Sequence, residues 1–232
     1  MDIQTKKELL IYFEQFITKK RKERILATLS LRTRHVVVVL EDLYQLANSS
    51  AIMRTCDALG VQDVHCIEGR NQFDINAGIA LGASKWLTID RYCLEQDQAN
   101  NPTAECLKEL KKEGYKLVAT SPHATKSLSE LAVEDKTAFL FGTEDQGLTE
   151  TALNVADEVV IIPMYGFVES FNVSVSAALC LYDFTKRLSE STVQWQLNNE
   201  ERFDLQLDWA RACLEKSEQL ERRFFTEHRP SH

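Results

Sequence analysis

Residues 35–41 read His-Val-Val-Val-Val-Leu-Glu, and this run constrains the fold more than any other stretch of the chain. Four successive valines are stiff at χ1 and favour extended backbone. The run is too short and too uniformly apolar for an amphipathic helix, and it lacks the alternation of a strand with one wet face. It predicts a strand buried on both faces, as in a parallel sheet covered by helices on each side.

The rest of the pattern agrees. A helix is expected over about 49–59, closed by Gly60, with strands following at 63–67 and, after a helical stretch at 72–82, at 85–90. A helix near 102–113 stops at Gly114, and strands are expected at 115–120, 137–141 and 158–162, the last two separated by a helix starting near Thr149. An apolar helix then spans 172–188. Strand–helix alternation of this kind predicts a mostly parallel α/β sheet flanked by helices. Outside it, Leu9, Leu10, Phe13, Phe16 and Ile17 recur at helical spacing within an expected helix at 5–28, and the tail from about 199 to 226 reads as one more helix. The expected organisation is a basic N-terminal helical extension (1–34), an α/β domain (35–190) and a C-terminal helical extension (191–232).

Several function classes are disfavoured. No stretch approaches the roughly 18 apolar residues of a membrane span, and the N-terminus, with Glu8 and Glu14 behind its lysines, is a poor signal peptide. A soluble, cytoplasmic protein is expected. The six cysteines form no C-x-x-C pair and no zinc-type spacing, so neither metal nor disulfide is expected. The net charge of −8 is unevenly spread: residues 1–35 carry +5, residues 36–185 carry −12 and residues 186–232 carry −1. Lys19, Lys20, Arg21, Lys22 and Arg24 are nearly contiguous. Such a cluster reads as a phosphate-gripping arm or as an ordinary solvated helix face.

Three loops carry candidate chemistry. Asn48-Ser-Ser-Ala-Ile-Met-Arg54 follows the first strand, with Asn48 placed as a helix N-cap and Arg54 six residues on. Gly142-Thr-Glu-Asp-Gln-Gly147 follows another strand and has neither the P-loop nor the G-x-G-x-x-G spacing. Ile162-Pro-Met through Ser170-Phe-Asn172-Val-Ser-Val runs into the apolar helix. Each loop alone is equally an ordinary turn or cap.

Together, in this order and at this spacing, the three resemble the motifs of the SpoU-TrmH family of SPOUT methyltransferases, over roughly residues 35–190. The resemblance implies a C-terminal trefoil knot, S-adenosylmethionine (AdoMet) held there, and a homodimer with active sites at the subunit interface. It implies backbone contacts to the cofactor from Thr120, Gly142, Ile162 and Phe171, and it assigns Asn48, Arg54, Glu144, Ser170 and Asn172 to the catalytic site. Within the family, a basic N-terminal helix and a helical tail are similar to those of the tRNA D-loop guanosine methyltransferases, so tRNA is the expected substrate. The basic set Lys19, Lys20, Arg21, Lys22, Arg24, Arg32 and Arg34 would then grip the tRNA backbone. One departure stands out: those enzymes usually place Lys-Pro-His before the motif-one Asn, where this chain has Gln45-Leu46-Ala47. Family accounts let Arg54 activate the ribose 2′-OH. A guanidinium stays protonated, so the expectation here is that Arg54 binds the adjacent phosphate and stabilises the developing alkoxide. Asn48 would orient Arg54 or the ribose. The rivals are an enzyme acting on ribosomal RNA or on the anticodon loop, and a non-catalytic RNA-binding factor on the same fold.

Overall fold

Val36–Glu41 is an interior strand of a seven-stranded sheet, and all six of its residues are buried. It is β1 of a computed structural model that describes residues 1–94 and 101–227. The helices α1 (Ile3–Glu14) and α2 (Lys19–Leu29) precede β1, and α3 (Leu46–Ala58), β2 (Asp63–Glu68), the single turn α4 (Ala77–Ala80) and β3 (Thr88–Cys93) follow it. Next come α5 (Pro102–Lys112), β4 (Lys116–Thr120), the two-residue β5 (Lys126–Ser127), β6 (Thr137–Phe141), α6 (Glu150–Val155) and β7 (Glu158–Ile161). The chain ends in α7 (Val173–Glu190), α8 (Asn199–Ala212) and α9 (Ser217–Glu227). Among the described residues no helix is long and apolar enough to cross a membrane.

The chain forms two compact units, one from Thr33 to Trp195 and one from the two ends, Met1–Arg32 and the segment from Gln196 onward. In the larger unit all strand pairs are parallel, in the order β3-β2-β1-β6-β4-β7-β5. The valine run explains this architecture. Val36, Val38 and Leu40 enter one core with Ile52 and Met53 of α3 and Leu181 and Phe184 of α7, while Val37 and Val39 enter a second core with Leu107 and Leu110 of α5. Both faces are therefore dry, as the sequence predicts. In the smaller unit Leu9, Phe13, Leu207 and Phe224 form a separate core.

Four local expectations need correction. The expected helix at 5–28 is two, because Thr18 caps a new start by accepting the Arg21 N–H at 3.3 Å. The tail likewise breaks after Ala212 into α8 and α9. Only Ala77–Ala80 of the 72–82 stretch is α-helical. The strand expected at 85–90 begins at Thr88, since Gly82, left-handed at φ 79°, leads into a 3-10 turn over Ala83–Lys85. The Gly60 stop holds, with φ 78°.

The amino ends of three neighbouring strands are tied by one carboxylate. Glu158, opening β7, pairs with Lys116 of β4 at 2.5 Å and with Lys126 of β5. Burial pushes its carboxyl up, but the hydrogen bonds from the two lysines outweigh that and hold it below its ordinary value of 4.5. A depressed carboxyl contributes stability above its unfolded pKa and loses it as pH falls through the folded value. Glu158→Gln is therefore expected to lower the denaturation midpoint at neutral pH and to shallow the loss of stability below about pH 4.5. Identical acid limbs in urea titrations of the two proteins would remove Glu158 from that role.

Candidate functional site

The opposite, carboxyl ends of β6, β4 and β7 lie side by side in the sheet. Crevices at such ends are where open parallel sheets bind ligands. Thr120 closes β4, Gly142 follows β6 and Ile162 follows β7, so three of the residues expected to hold a cofactor stand on neighbouring strands. The Thr120 hydroxyl donates to the Leu140 carbonyl at 3.1 Å, and the Ser121 N–H donates to Val160 at 3.0 Å. Phe171, the fourth, lies on the loop between β7 and α7 and is about one-third exposed.

Beyond Gly142 the chain makes a tight hairpin in which Thr143 and Gly147 exchange backbone hydrogen bonds, both at 3.0 Å. Gly142 is required sterically, because a Cβ there would stand 2.1 Å from the Gly147 carbonyl carbon and 2.3 Å from the Leu148 nitrogen. Gly147 is required conformationally, at φ 70°. The hairpin presents Glu144 to the other two loops.

There the three loops meet in one hydrogen-bonded chain. The Asn48 Nδ2 donates to Glu144 Oε1 at 2.6 Å and to Gln45 Oε1 at 3.1 Å. Asn48 Oδ1 accepts from Asn172 Nδ2 at 3.1 Å, and Asn172 Oδ1 accepts the Ser174 N–H at 2.9 Å and the Ser174 hydroxyl at 2.6 Å. The Ser174 N–H only donates, so Asn172 Oδ1 accepts and Asn172 Nδ2 donates, which fixes the direction of each bond from there to Glu144. Asn48 is 6% exposed, and Glu144 Oε2 is buried without a hydrogen-bond partner among the described residues. A buried acceptor in that condition is a place where a ligand donor is wanted.

The structure corrects the expected role of Asn48. Gln45 holds the N-cap position of α3, and Asn48 sits inside the first turn with its amide turned toward Glu144 and Asn172. Asn172 does cap α7. Arg54 lies two turns into α3 and Ser170 on the loop before α7; both side chains are exposed and make no hydrogen bond among the described residues. Two residues of the expected RNA-binding set are engaged within the protein. Arg32 is fully buried, its guanidinium 5.1 Å from the Trp209 ring centre, and Arg34 is half-buried, its Nε–H shared between the two carboxylate oxygens of Asp63 at 2.9 and 3.2 Å. Lys19, Lys20, Arg21 and Arg24 are exposed on α2, whereas Lys22 is half-buried 3.7 Å from Glu14.

Gln45 and Glu41 escaped the sequence reading. Glu41, buried at the end of β1, accepts from the Thr103 hydroxyl at 2.6 Å and from the Thr149 N–H and hydroxyl, both at 2.8 Å, which pins the far end of the hairpin loop. Its signal was a carboxylate terminating an otherwise apolar strand.

Comparison with known proteins identifies the family of the chain. The family described as the SpoU rRNA Methylase family matches residues 35–182. A tRNA (guanosine(18)-2′-O)-methyltransferase of Borreliella burgdorferi is 38% identical over 208 residues, 89% of this chain and 92% of that protein. The crystal structure of the Aquifex aeolicus TrmH/SpoU tRNA modifying enzyme superposes with a TM-score of 0.74 at 30% identity, covering 85% of this chain and 98% of that one. A structure concerned with 2-OH methylation of C/U34 on tRNA superposes at 0.55 and 25% identity, and its chain, 97% covered, spans 67% of this one.

Proposed function

Because the chain belongs to the SpoU rRNA Methylase family, we propose that it transfers a methyl group from AdoMet to a ribose 2′-hydroxyl of tRNA, at guanosine 18 of the D-loop. The observation that carries this reading is the hydrogen-bonded chain Glu144–Asn48–Asn172, which joins all three motif loops beside the carboxyl ends of the central strands. A non-catalytic RNA-binding factor would have no need of it. The guanosine assignment rests on the Borreliella relative, whose match runs through 89% of this chain and so includes much of its terminal unit.

The residues fit AdoMet. The close backbone cradle at Gly142 leaves no room for a side chain, and the neighbouring strands bring Thr120 and Ile162 to the same end of the sheet. When bound, AdoMet supplies an electrophilic methyl on a good leaving group, so the protein's task is alignment and raising the nucleophilicity of the oxygen. Arg54, exposed and uncommitted, binds the phosphate next to the target ribose and places positive charge where the alkoxide develops. Asn48, fixed by Glu144 and Asn172, orients the ribose. Ser170 shapes the mouth of the pocket, and the proton passes to the phosphate or to water.

The remaining details follow the same reading. The path from β7 into α7 closes a trefoil knot around the cofactor loops, and the enzyme acts in the cytoplasm, where its tRNA is. It works as a homodimer: Tyr165, Phe167 and Val168 on the loop, with Val175, Leu179 and Tyr182 one face of α7, are apolar and exposed on the single chain. Leu179→Glu is expected to give monomers in analytical ultracentrifugation with methyl transfer reduced in step; a fully active monomer would refute the dimer. The arm Lys19, Lys20, Arg21, Lys22 and Arg24 grips the tRNA backbone. Neutralising the first four should weaken tRNA binding and flatten its dependence on salt by roughly one slope unit per lost contact, with AdoMet affinity unchanged. The deciding experiment is incubation with methyl-labelled AdoMet and tRNA transcripts, followed by mapping of the 2′-O-methylated nucleotide. Label at guanosine 18 is expected, and label elsewhere, or none, rejects the assignment.

A further inference from the structure

A cleft of about 460 Å³ opens beyond the carboxyl ends of β2, β1 and β6, within the size range of small-ligand sites. It lies at the point where the connections diverge. The chain runs from β1 outward through β2 and β3, then crosses over, so that β4 and later β6 fall on the other side of β1. Ligands of open parallel sheets bind at such switch points.

Its polar groups fall into two sets. Glu41 and Asp42 are committed to structure. Glu41 holds the Thr103 and Thr149 hydroxyls and the Thr149 N–H, and the Asp42 Oδ1 gathers the N–H groups of Gly69, Arg70 and Asn71 at 2.7–3.1 Å. Asp42 is left-handed at φ 58°, which aspartate tolerates better than most residues, and this bend fixes the turn that carries Arg70. The side chains of Arg70, Asp145 and Glu150 are exposed in the cleft and make no hydrogen bond or ion pair among the described residues. An arginine and two carboxylates thus face one cavity without neutralising each other. Arg70 follows β2 and Asp145 follows β6, with β1 between them. Two strand spacings are about 10 Å, enough for the two side chains to engage opposite edges of a ring placed between them.

We propose that this cleft receives the guanine base of the acceptor nucleotide, Arg70 reading O6 and N7 and Asp145 accepting N1–H and N2–H. The surplus of carboxylates disfavours a phosphate. Guanine alone among the four bases combines two adjacent donors on its Watson–Crick edge, suited to a carboxylate, with two acceptors on the major-groove edge, suited to the guanidinium fork. Tyr44, half-exposed on the cleft wall, offers a ring face for the base. The cleft also adjoins the catalytic chain through consecutive residues: Glu144 of the hairpin holds Asn48 while Asp145 lines the cleft. A base seated in the cleft would therefore bring its ribose toward Asn48. This assignment deepens the reading of the chain as a guanosine methyltransferase and rests on it.

The test uses the full chain and D-arm RNA carrying at the target position guanine, 7-deazaguanine, which lacks the N7 acceptor, or hypoxanthine, which lacks the 2-amino group. Binding is read by fluorescence anisotropy and methyl transfer by single-turnover kinetics, for the wild type and for Arg70→Ala, Arg70→Lys and Asp145→Ala. In the wild type guanine should be preferred roughly 10- to 100-fold. Arg70→Ala should abolish the preference over 7-deazaguanine and keep that over hypoxanthine, and Arg70→Lys, lacking the fork, should restore only part. Asp145→Ala should abolish the preference over hypoxanthine and keep that over 7-deazaguanine. Because both substituted side chains are exposed, AdoMet affinity measured by calorimetry serves as the check on folding. Unchanged base discrimination in both alanine variants, with methyl transfer intact, overturns the cleft assignment and leaves the enzyme reading standing. Discrimination in binding that Arg70→Ala abolishes, without methyl transfer by the wild type, supports the cleft and rejects the reaction.

Discussion

Arg54→Ala is expected to lower the single-turnover rate of methyl transfer by about 10²–10³-fold, the usual cost of removing one positioned donor from a developing oxyanion. AdoMet affinity and the folding midpoint should stay where they are. The reason lies in what Arg54 does not touch. It is exposed on α3 and makes no ion pair or hydrogen bond within the described chain, so removing it breaks nothing in the fold. The nearby motif residues differ: Asn48, Glu144 and Asn172 are bonded to one another, and loss of any one disturbs the others. Arg54→Lys then separates two chemical roles. A general base made of lysine would keep near-normal turnover with a lowered pH optimum, whereas a bidentate phosphate clamp loses most of its rate and keeps its pH profile. The clamp outcome is expected. Retained turnover with a shifted optimum would return Arg54 to the role of base.

The parts of the molecule that could be read from sequence share a cause. Strands buried on both faces write themselves as apolar runs, and Gly60 and Thr149 mark helix ends through chemistry local to a few residues. The motif residues Asn48, Glu144 and Asn172 were identifiable as three separate loops, but their joining at 2.6 and 3.1 Å spans sequence separations of 96 and 124 residues. Nothing local encodes it. The same limit explains Arg32 and Arg34. Their charge in a basic stretch pointed to RNA, while the burial of Arg32 over Trp209 and the pairing of Arg34 with Asp63 depend on partners farther along the chain. Gln45 is a sharper case. Its Oε1 takes the second hydrogen of the Asn48 amide, so a neutral side chain one turn before Asn48 helps to keep that amide oriented.

Gly142→Ala should be the most damaging small change in the larger unit, and Gly147→Ala, five residues on, should be mild. Both glycines belong to the same hairpin, yet they are glycines for different reasons. At Gly147 the backbone is left-handed and the space around a Cβ is open, so alanine costs the conformational penalty of about 1–2 kcal/mol and no more. At Gly142 the added carbon would lie 2.1–2.3 Å from three backbone atoms of Gly147 and Leu148. Backbone cannot swing aside as a side chain does. Relief requires opening the hairpin, which breaks the Thr143–Gly147 pair and carries Glu144 away from Asn48. The backbone cradle proposed for AdoMet and the orientation of Asn48 are then lost together. Calorimetric titration should show AdoMet affinity reduced by about 100-fold or more in Gly142→Ala, the scale of losing two hydrogen bonds and a well-fitted backbone surface. Methyl transfer at saturating AdoMet should remain impaired, because Glu144 no longer fixes Asn48. In Gly147→Ala the reduction should be tenfold or less, with normal turnover once AdoMet saturates. Equal losses in the two variants would mean that the hairpin tolerates opening at Gly142 and that backbone proximity there does not build the cofactor site.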